Sequence, residues 1–157
     1  MRKLVLFAAL FSLFLIIAGF ARQQNAQLER KQLRSMLEQL GYELKDIVTT
    51  PGEEKVSFVL VRDELDIPIG AEISGNNAYI WYTVNLGEAQ PDSSNKHALL
   101  LKENAKVQPS HFYISSRGLL MMGLAIENRN VTNAMLRQRA ESIAANVAKT
   151  REIWEKK

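Results

Sequence analysis

Hydrophobic positions follow three different patterns along the chain. From residue 4 to residue 20 no charged side chain occurs, and only Ser12 and Gly19 interrupt the apolar run. From residue 25 to residue 40, apolar side chains recur every three or four positions between charged ones. This second pattern predicts an amphipathic helix, which we expect to end at Gly41 because glycine readily adopts the left-handed conformation found at helix ends.

The third pattern is an alternation rich in β-branched and aromatic residues, which predicts β-strands. The stretch Ser74-Gly75-Asn76-Asn77 predicts a hairpin turn, since Gly and Asn tolerate the positive φ of tight turns. Residues 42–50 are predicted to be a lead-in without strand structure, followed by a turn at Pro51-Gly52. The predicted strands are 55–62, 67–73, 78–86, 111–115 and 119–126.

Two more helices complete the prediction. A short one covers residues 96–104, although three adjacent leucines in it also fit a strand. Thr132 is a suitable N-cap for a long helix that reaches about Trp154. The order is then α-β-β-β-α-β-β-α. It predicts an α+β fold in which an antiparallel five-stranded sheet has helices packed on it, preceded by an N-terminal signal or anchor helix.

Several predicted strands are apolar on both faces, whereas a sheet covered on one side normally alternates cleanly. Either the helices wrap both sides of the sheet or its second face meets a partner. Tyr79, Trp81 and Tyr113 are the kind of amphipathic side chains that serve as anchors at interfaces. Met121 joins them as a candidate, because methionine adapts to varied partners, although core filling is the commoner use of a Met pair such as Met121-Met122. These four residues form the predicted interaction face.

The start of the chain has the pattern of an export signal. Two cations, Arg2 and Lys3, precede the apolar run, and small residues at Gly19 and Ala21 suit cleavage after Ala21. The apolar run also approaches the length of a membrane span, so a retained anchor is the alternative. Residues 1–21 are therefore a signal peptide or membrane anchor, and residues 22–157 form the domain. We expect a periplasmic or secreted protein, or one anchored to the inner membrane through residues 4–20.

Charge and composition exclude some functions. The chain has 20 Lys and Arg against 17 Asp and Glu; without Arg2 and Lys3 the balance is 18 to 17, a net charge of +1. Basic and acidic residues also alternate along both terminal helices, so no nucleic-acid partner is predicted. Because the chain has no cysteine, a lipoprotein anchor, a disulfide framework and a cysteine nucleophile are excluded.

No pattern predicts catalysis, a metal or a cofactor. His97 and His111 are the only histidines, without the spacing of a metal site, and no Gly-x-Ser-x-Gly elbow occurs. The acidic stretch 63–66 lacks the glycine and the oxygen count of a calcium loop, so it is interpreted as a solvated turn. Asn130-Val131-Thr132 matches a glycosylation acceptor, and the favoured interpretation is a helix entry capped by Thr132. The expected protein is not an enzyme.

A family resemblance rests on particular residues of the second half of the chain. They are Leu100 and Asn104, Phe112-Tyr113-Ile114, Gly118-Leu119-Leu120 and Thr132. Over roughly residues 28–154 the chain resembles the type III secretion chaperone-like fold, and within it the YbjN-type branch of bacterial sensory-transduction regulators. The resemblance implies a dimeric or protein-binding module. That family is cytoplasmic and usually acidic, whereas this chain carries an export segment and a nearly neutral remainder.

Three hypotheses follow. The preferred one is an exported or membrane-tethered, non-catalytic interaction module that binds a protein partner, or a second copy of itself as a homodimer, through its sheet. The second is an envelope domain that binds a small ligand, or acts as an enzyme, in a polar cleft. The third is a membrane-tethered accessory subunit in which residues 4–20 are retained and helix 25–40 forms a stalk.

Overall fold

The computed structural model describes residues 26–90 and 94–155, and there six strands form one antiparallel sheet in the order β1-β2-β3-β4-β6-β5. The strands are β1 (Lys45–Val48), β2 (Lys55–Arg62), β3 (Leu65–Ile73), β4 (Tyr79–Glu88), β5 (Ser110–Ile114) and β6 (Leu119–Glu127). The helices are α1 (Arg30–Gln39), α2 (Ser94–Glu103), α3 (Asn133–Lys149) and the short α4 (Arg151–Trp154). The predicted α+β class and antiparallel sheet are confirmed.

The predicted strand number was wrong, because the lead-in before Pro51 contains strand β1. This strand has only four residues, and Lys45, Asp46 and Ile47 are all exposed, so its sequence carries no alternation that would reveal it. It forms by pairing with β2, through a register that shifts between Asp46 and Val48. A short, charged and irregular edge strand is a poor template for pairing with another chain.

The buried apolar side chains of the strands all face one side, where the helices lie. Helix α3 packs across β2, β3 and β6, and four residues of the predicted stripe are buried as expected: Leu136, Ala140, Ile143 and Val147. The fifth, Trp154, is half-buried and lies on α4. Full burial stabilises each large apolar side chain of this stripe by about 1.5–3 kcal/mol. The largest buried strand side chain is Tyr82, whose hydroxyl donates a 3.4 Å hydrogen bond to the Leu136 carbonyl oxygen.

The first helix begins later than predicted. Residues 26–29 are not helical; α1 starts at Arg30, and the Glu29 amide donates to Gln32 Oε1 at 2.8 Å. Leu33 and Leu37 are buried, so α1 packs on the domain and is not the projecting stalk of the third hypothesis. The predicted segment 4–20 lies outside the described residues. Within them, no helix has the length and apolarity needed to cross a bilayer.

The last helix is interrupted where a continuous helix to Trp154 was predicted. The Thr150 hydroxyl donates to the Asn146 carbonyl oxygen at 2.7 Å, and the backbone of Thr150 leaves the helical region. Helix α4 then brings the Trp154 indole N–H within 2.8 Å of the Val147 carbonyl oxygen. At the other end of α3 the predicted cap is confirmed, because the Thr132 hydroxyl accepts from the Met135 amide at 3.2 Å.

The buried side chain of Asn128 joins the beginning of the described chain to the sheet. Its Oδ1 accepts from the Leu28 amide at 2.9 Å, and its Nδ2 donates to the Leu28 carbonyl oxygen at 3.0 Å. The same Nδ2 donates to the Asn77 carbonyl oxygen at 2.9 Å, in the β3–β4 turn. The backbone at Leu28 is therefore fixed beside this turn.

Candidate protein-interaction surfaces

One side of the sheet carries no helix among the described residues, and we call the side chains of β2 to β6 on this side the open face. On β2 they include Val59 and Val61, which is 70% exposed. Further along, Trp81 lies opposite Ala125, and Gly123 lies between Thr83 and His111. Of the two explanations offered for strands that are apolar on both faces, the described helices rule out the first, since they lie on one side of the sheet only.

The four predicted interaction residues all lie on this open face, because the strand register brings them to the same side. Tyr79 and Trp81 project from β4, Tyr113 from β5 and Met121 from β6, where Tyr113 is the direct partner of Met121. Tyr79 is exposed and the other three are half-buried. The structure thus assembles the predicted face; that it binds a protein stays a prediction.

His111 belongs to the same group, although the sequence interpretation treated it as an ordinary strand residue. Its ring lies 6.1 Å from that of Trp81, edge to face, and 5.6 Å from that of Tyr113. Tyr79 continues this aromatic row, 6.5 Å from Trp81. Period-two spacing from Tyr113 was the signal that could have assigned His111 to this face.

Gly123 explains how the row can cross β6. A Cβ atom on this glycine would lie 3.0 Å from Cε1 of Tyr113 and 3.4 Å from Cε1 of His111. The two rings of β5 therefore lean over the glycine, close to the backbone of β6. A larger residue would push them outward and open the row.

The charge of Glu72 on the open face affects Tyr113. Lys55 and Glu72, partners on β2 and β3, form a 2.9 Å ion pair. Burial, and secondarily the negative charge of Glu72, raises the pKa of the Tyr113 phenol above its ordinary value. The phenol therefore keeps its proton at neutral pH and can donate a hydrogen bond to an approaching group.

A second apolar surface lies at the β5 edge, and we call it the α2–β5 surface. Leu101 is 67% exposed, and Leu99 and Ile114 are about half exposed. Leu101 and Ile114 line a trough of about 200 Å³ together with His97 and Phe112. Large apolar side chains grouped in this way are typical of a contact site.

The backbone edge beside this surface is closed by Asn104. Its Oδ1 accepts from the Phe112 amide at 2.6 Å, and its Nδ2 approaches the Phe112 carbonyl oxygen at 3.3 Å. One side chain thus occupies both pairing groups that Phe112 would offer to a further strand. Two residues that carried the family resemblance, Asn104 and Phe112, are joined by this contact.

A cleft of about 170 Å³ separates α1 from strands β1 to β3. Leu33, Val56 and Ile73 contribute to its apolar floor, while Arg30 and Arg34 line it from α1. Across the cleft, Arg34 is hydrogen-bonded to Asp46, and this bond raises the pKa of the guanidinium. The cleft is a feature of the described chain that suits the small-ligand hypothesis.

The residues considered for metal binding stay dispersed. In the parts of the chain that the structure describes, no three His, Asp or Glu side chains are grouped to hold a metal ion. His97 lies on α2, and His111 lies in the aromatic row. Asp63 and Glu64 adopt positive φ in the turn between β2 and β3, which agrees with the predicted tight turn.

Comparisons with known proteins find likeness only in structure. No protein-family model matches the chain. No curated protein matches it either. A chain of the HopA1–SchA chaperone–effector complex is similar with a TM-score of 0.52 and 11% identity, over 75% of this chain and 88% of that one. An uncharacterised protein from Methanothermobacter thermautotrophicus gives a TM-score of 0.51 and 12% identity, over 82% and 97%.

A chain of the ExoU–SpcU complex from the type III secretion system of Pseudomonas aeruginosa gives a TM-score of 0.47 and 13% identity, over 76% of this chain and 94% of that one. At these identities the comparisons concern the fold alone. The chain has a fold like that of a chain in a chaperone–effector complex, which agrees with the type III secretion chaperone-like fold that the sequence resemblance implies.

Proposed function

We propose that this chain is a non-catalytic protein-interaction module, exported or tethered to the membrane by residues 1–21, which binds a protein through the open face of its sheet. The observation that carries the proposal is the aromatic row on a sheet face that none of the described helices covers. We also propose kinship with the YbjN-type branch, on the residues quoted for it above.

The composition of the open face supports protein binding. Tyr and Trp bury a large apolar area while keeping a polar group for a hydrogen bond, and they are enriched at interface cores. Here Trp81 lies at the centre of the row, between Tyr79 and His111. Its direct partner on β6 is the small residue Ala125, so a partner segment can approach the rings closely from that side.

The α2–β5 surface supports self-association as a second contact of the same module. Leu101 and Ile114 would be withdrawn from water if two copies met there. Because Asn104 closes the backbone edge at Phe112, such a contact would depend on side chains rather than on a continuous sheet. Type III secretion chaperones, which this fold resembles, are dimers that bind segments of other proteins.

Site-specific photocross-linking of the full-length chain tests the open face. A photoreactive phenylalanine analogue replaces Tyr79 or Tyr113, and as a control it replaces Gln138, exposed on α3 on the opposite side of the sheet. We expect the same adduct from both positions of the open face and none from position 138. An adduct with the mass of two chains would identify a second copy as the partner.

The proposal is wrong if neither position on the open face gives an adduct, or if position 138 gives the same one. A fluorescence measurement supplies an independent readout once a partner is purified. Trp154→Phe leaves Trp81 as the only tryptophan among the described residues, so burial of the open face should shift its emission to shorter wavelength.

A further inference from the structure

The cleft between α1 and the sheet contains a cation without good hydrogen bonds. Only 21% of the Arg30 side chain is exposed. Its Nη1 lies 3.4 Å from Asn77 Oδ1 and its Nη2 lies 3.5 Å from the Ile73 carbonyl oxygen, both longer than an ordinary N–H···O bond. Its Nε is buried and makes no hydrogen bond. A desolvated guanidinium in this condition is unfavourable unless something else binds it.

Glu54 is the nearest counter-charge, and it satisfies Arg30 incompletely. Its Oε2 lies 3.3 Å from Arg30 Nε, close enough for attraction but outside hydrogen-bond geometry. By contrast, Arg34 in the same cleft is bonded to both Asp46 and Glu38. The two arginines of α1 therefore differ: one has its partners, and the other offers its fork to a ligand.

The residues that line the cleft carry a net positive charge, which one negative group would neutralise. Arg30, Lys31 and Arg34 contribute three positive charges, and Asp46 and Glu54 contribute two negative ones, a net charge of +1. Among the described residues, Lys31 takes part in no ion pair. A single monoanion would bring the lining to neutrality.

The shape of the cleft adds an apolar requirement. Below Arg30 the floor is built by Leu33, Val56, Ala71 and Ile73. On its outer side, Arg30 also lines a wider and more polar space of about 510 Å³ that includes Leu28 and Asn77. Arg30 thus stands at the neck between an apolar interior and an open mouth, where the head group of an amphipathic ligand would lie.

We propose that this cleft binds a carboxylate attached to a short apolar chain, with the carboxylate held by the Arg30 fork and the chain on the apolar floor. Guanidinium and carboxylate groups form two parallel, charge-assisted hydrogen bonds, which would replace the long contacts of Arg30. The ligand displaces Glu54 from Nε. A free short-chain carboxylic acid and the C-terminus of a peptide ending in an apolar residue share this chemistry.

Calorimetric titration of the full-length chain with hexanoate tests the proposal. Hexan-1-ol is the control for the apolar chain, and a peptide ending in leucine is compared with its C-terminal amide. We expect hexanoate or the free-acid peptide to bind, and which of them does identifies the source of the carboxylate. Hexanol binding as tightly as hexanoate, or binding by none of these probes, would overturn the proposal.

Three variants make the test specific. Arg30→Gln should raise the dissociation constant about tenfold or more, because the variant loses hydrogen bonds between two charged groups. Glu54→Gln should tighten it, because the competing carboxylate is gone; a merely damaged fold would not give this gain. Arg117→Gln, in the exposed turn between β5 and β6, should change nothing. Unchanged affinity in Arg30→Gln, or weaker affinity in Glu54→Gln, would contradict the assignment. The open face takes no part, so its cross-linking result is independent.

Discussion

Asparagine side chains hold this domain together at points where backbone groups would otherwise lack partners. Asn128 binds both backbone groups of Leu28, and Asn104 contacts both backbone groups of Phe112. In each case the side-chain amide pairs with a backbone N–H and a backbone C=O, as a neighbouring strand would, since it presents a donor and an acceptor together. The first contact fixes the backbone that precedes α1 to the sheet, and the second closes a sheet edge.

Asn128→Ala should lower the free energy of unfolding by about 1–3 kcal/mol, because it leaves partly buried backbone groups of Leu28 and Asn77 without their partner. Urea denaturation of the full-length chain measures the change. Asn95→Ala, at an exposed position in α2, is the control and should be nearly neutral. Equal stability of the two variants would show that water replaces the Asn128 contacts without cost.

At the scale of elements, the sequence predicted those helices and strands whose apolar positions are strongly periodic. It did not predict a strand that forms only by pairing with its neighbour. Strand β2 and the buried stripe of α3 were predicted correctly because their apolar positions follow the period of the element. Strand β1 was missed because its four residues show no alternation and depend on pairing with β2. The four predicted interaction residues share one face of the sheet, but the sequence did not predict which face would be exposed, and it missed His111. The α1 cleft was not predicted, because it depends on how Arg30 meets Asn77 and Ile73, more than 40 residues away.

Helix α2 and strand β5 together make the surface proposed for self-association. Leu101→Glu should raise the dissociation constant of the dimer about tenfold to a hundredfold, since burial of one leucine is worth about 1.5–3 kcal/mol. Size-exclusion chromatography with light scattering on the full-length chain measures it. Val61→Glu is a matched control, because Val61 is also apolar and 70% exposed but lies on the open face.

The wild-type chain should therefore be dimeric at high micromolar concentration, the Leu101→Glu variant monomeric and the Val61→Glu variant dimeric. A monomeric wild-type chain would remove the basis for self-association. Dissociation caused only by Val61→Glu would move the contact to the open face.

At the scale of the whole molecule, the helices cover one side of the sheet and leave the aromatic row on the other. The core is therefore a single layer between sheet and helices, and Tyr82 at its centre carries a hydroxyl that must stay protonated there. Burial, and secondarily the neighbouring Tyr42, raises the pKa of Tyr82 far above its ordinary value of 10.0. Burial also raises the pKa of Tyr42.

Alkaline pH should consequently unfold the domain through Tyr82. Below pH 10 the phenol is protonated in both folded and unfolded chains, so its contribution to stability is constant. Above pH 10 the unfolded chain releases the proton and the folded chain keeps it, so stability falls by about 1.4 kcal/mol per pH unit for this group.

Tyr82→Phe loses only a 3.4 Å hydrogen bond at neutral pH, and it should reduce this alkaline slope. Urea midpoints at a series of pH values from neutral to well above 10 measure it. The same slope in both proteins would mean that other groups, Tyr42 and Tyr113 among them, control alkaline unfolding.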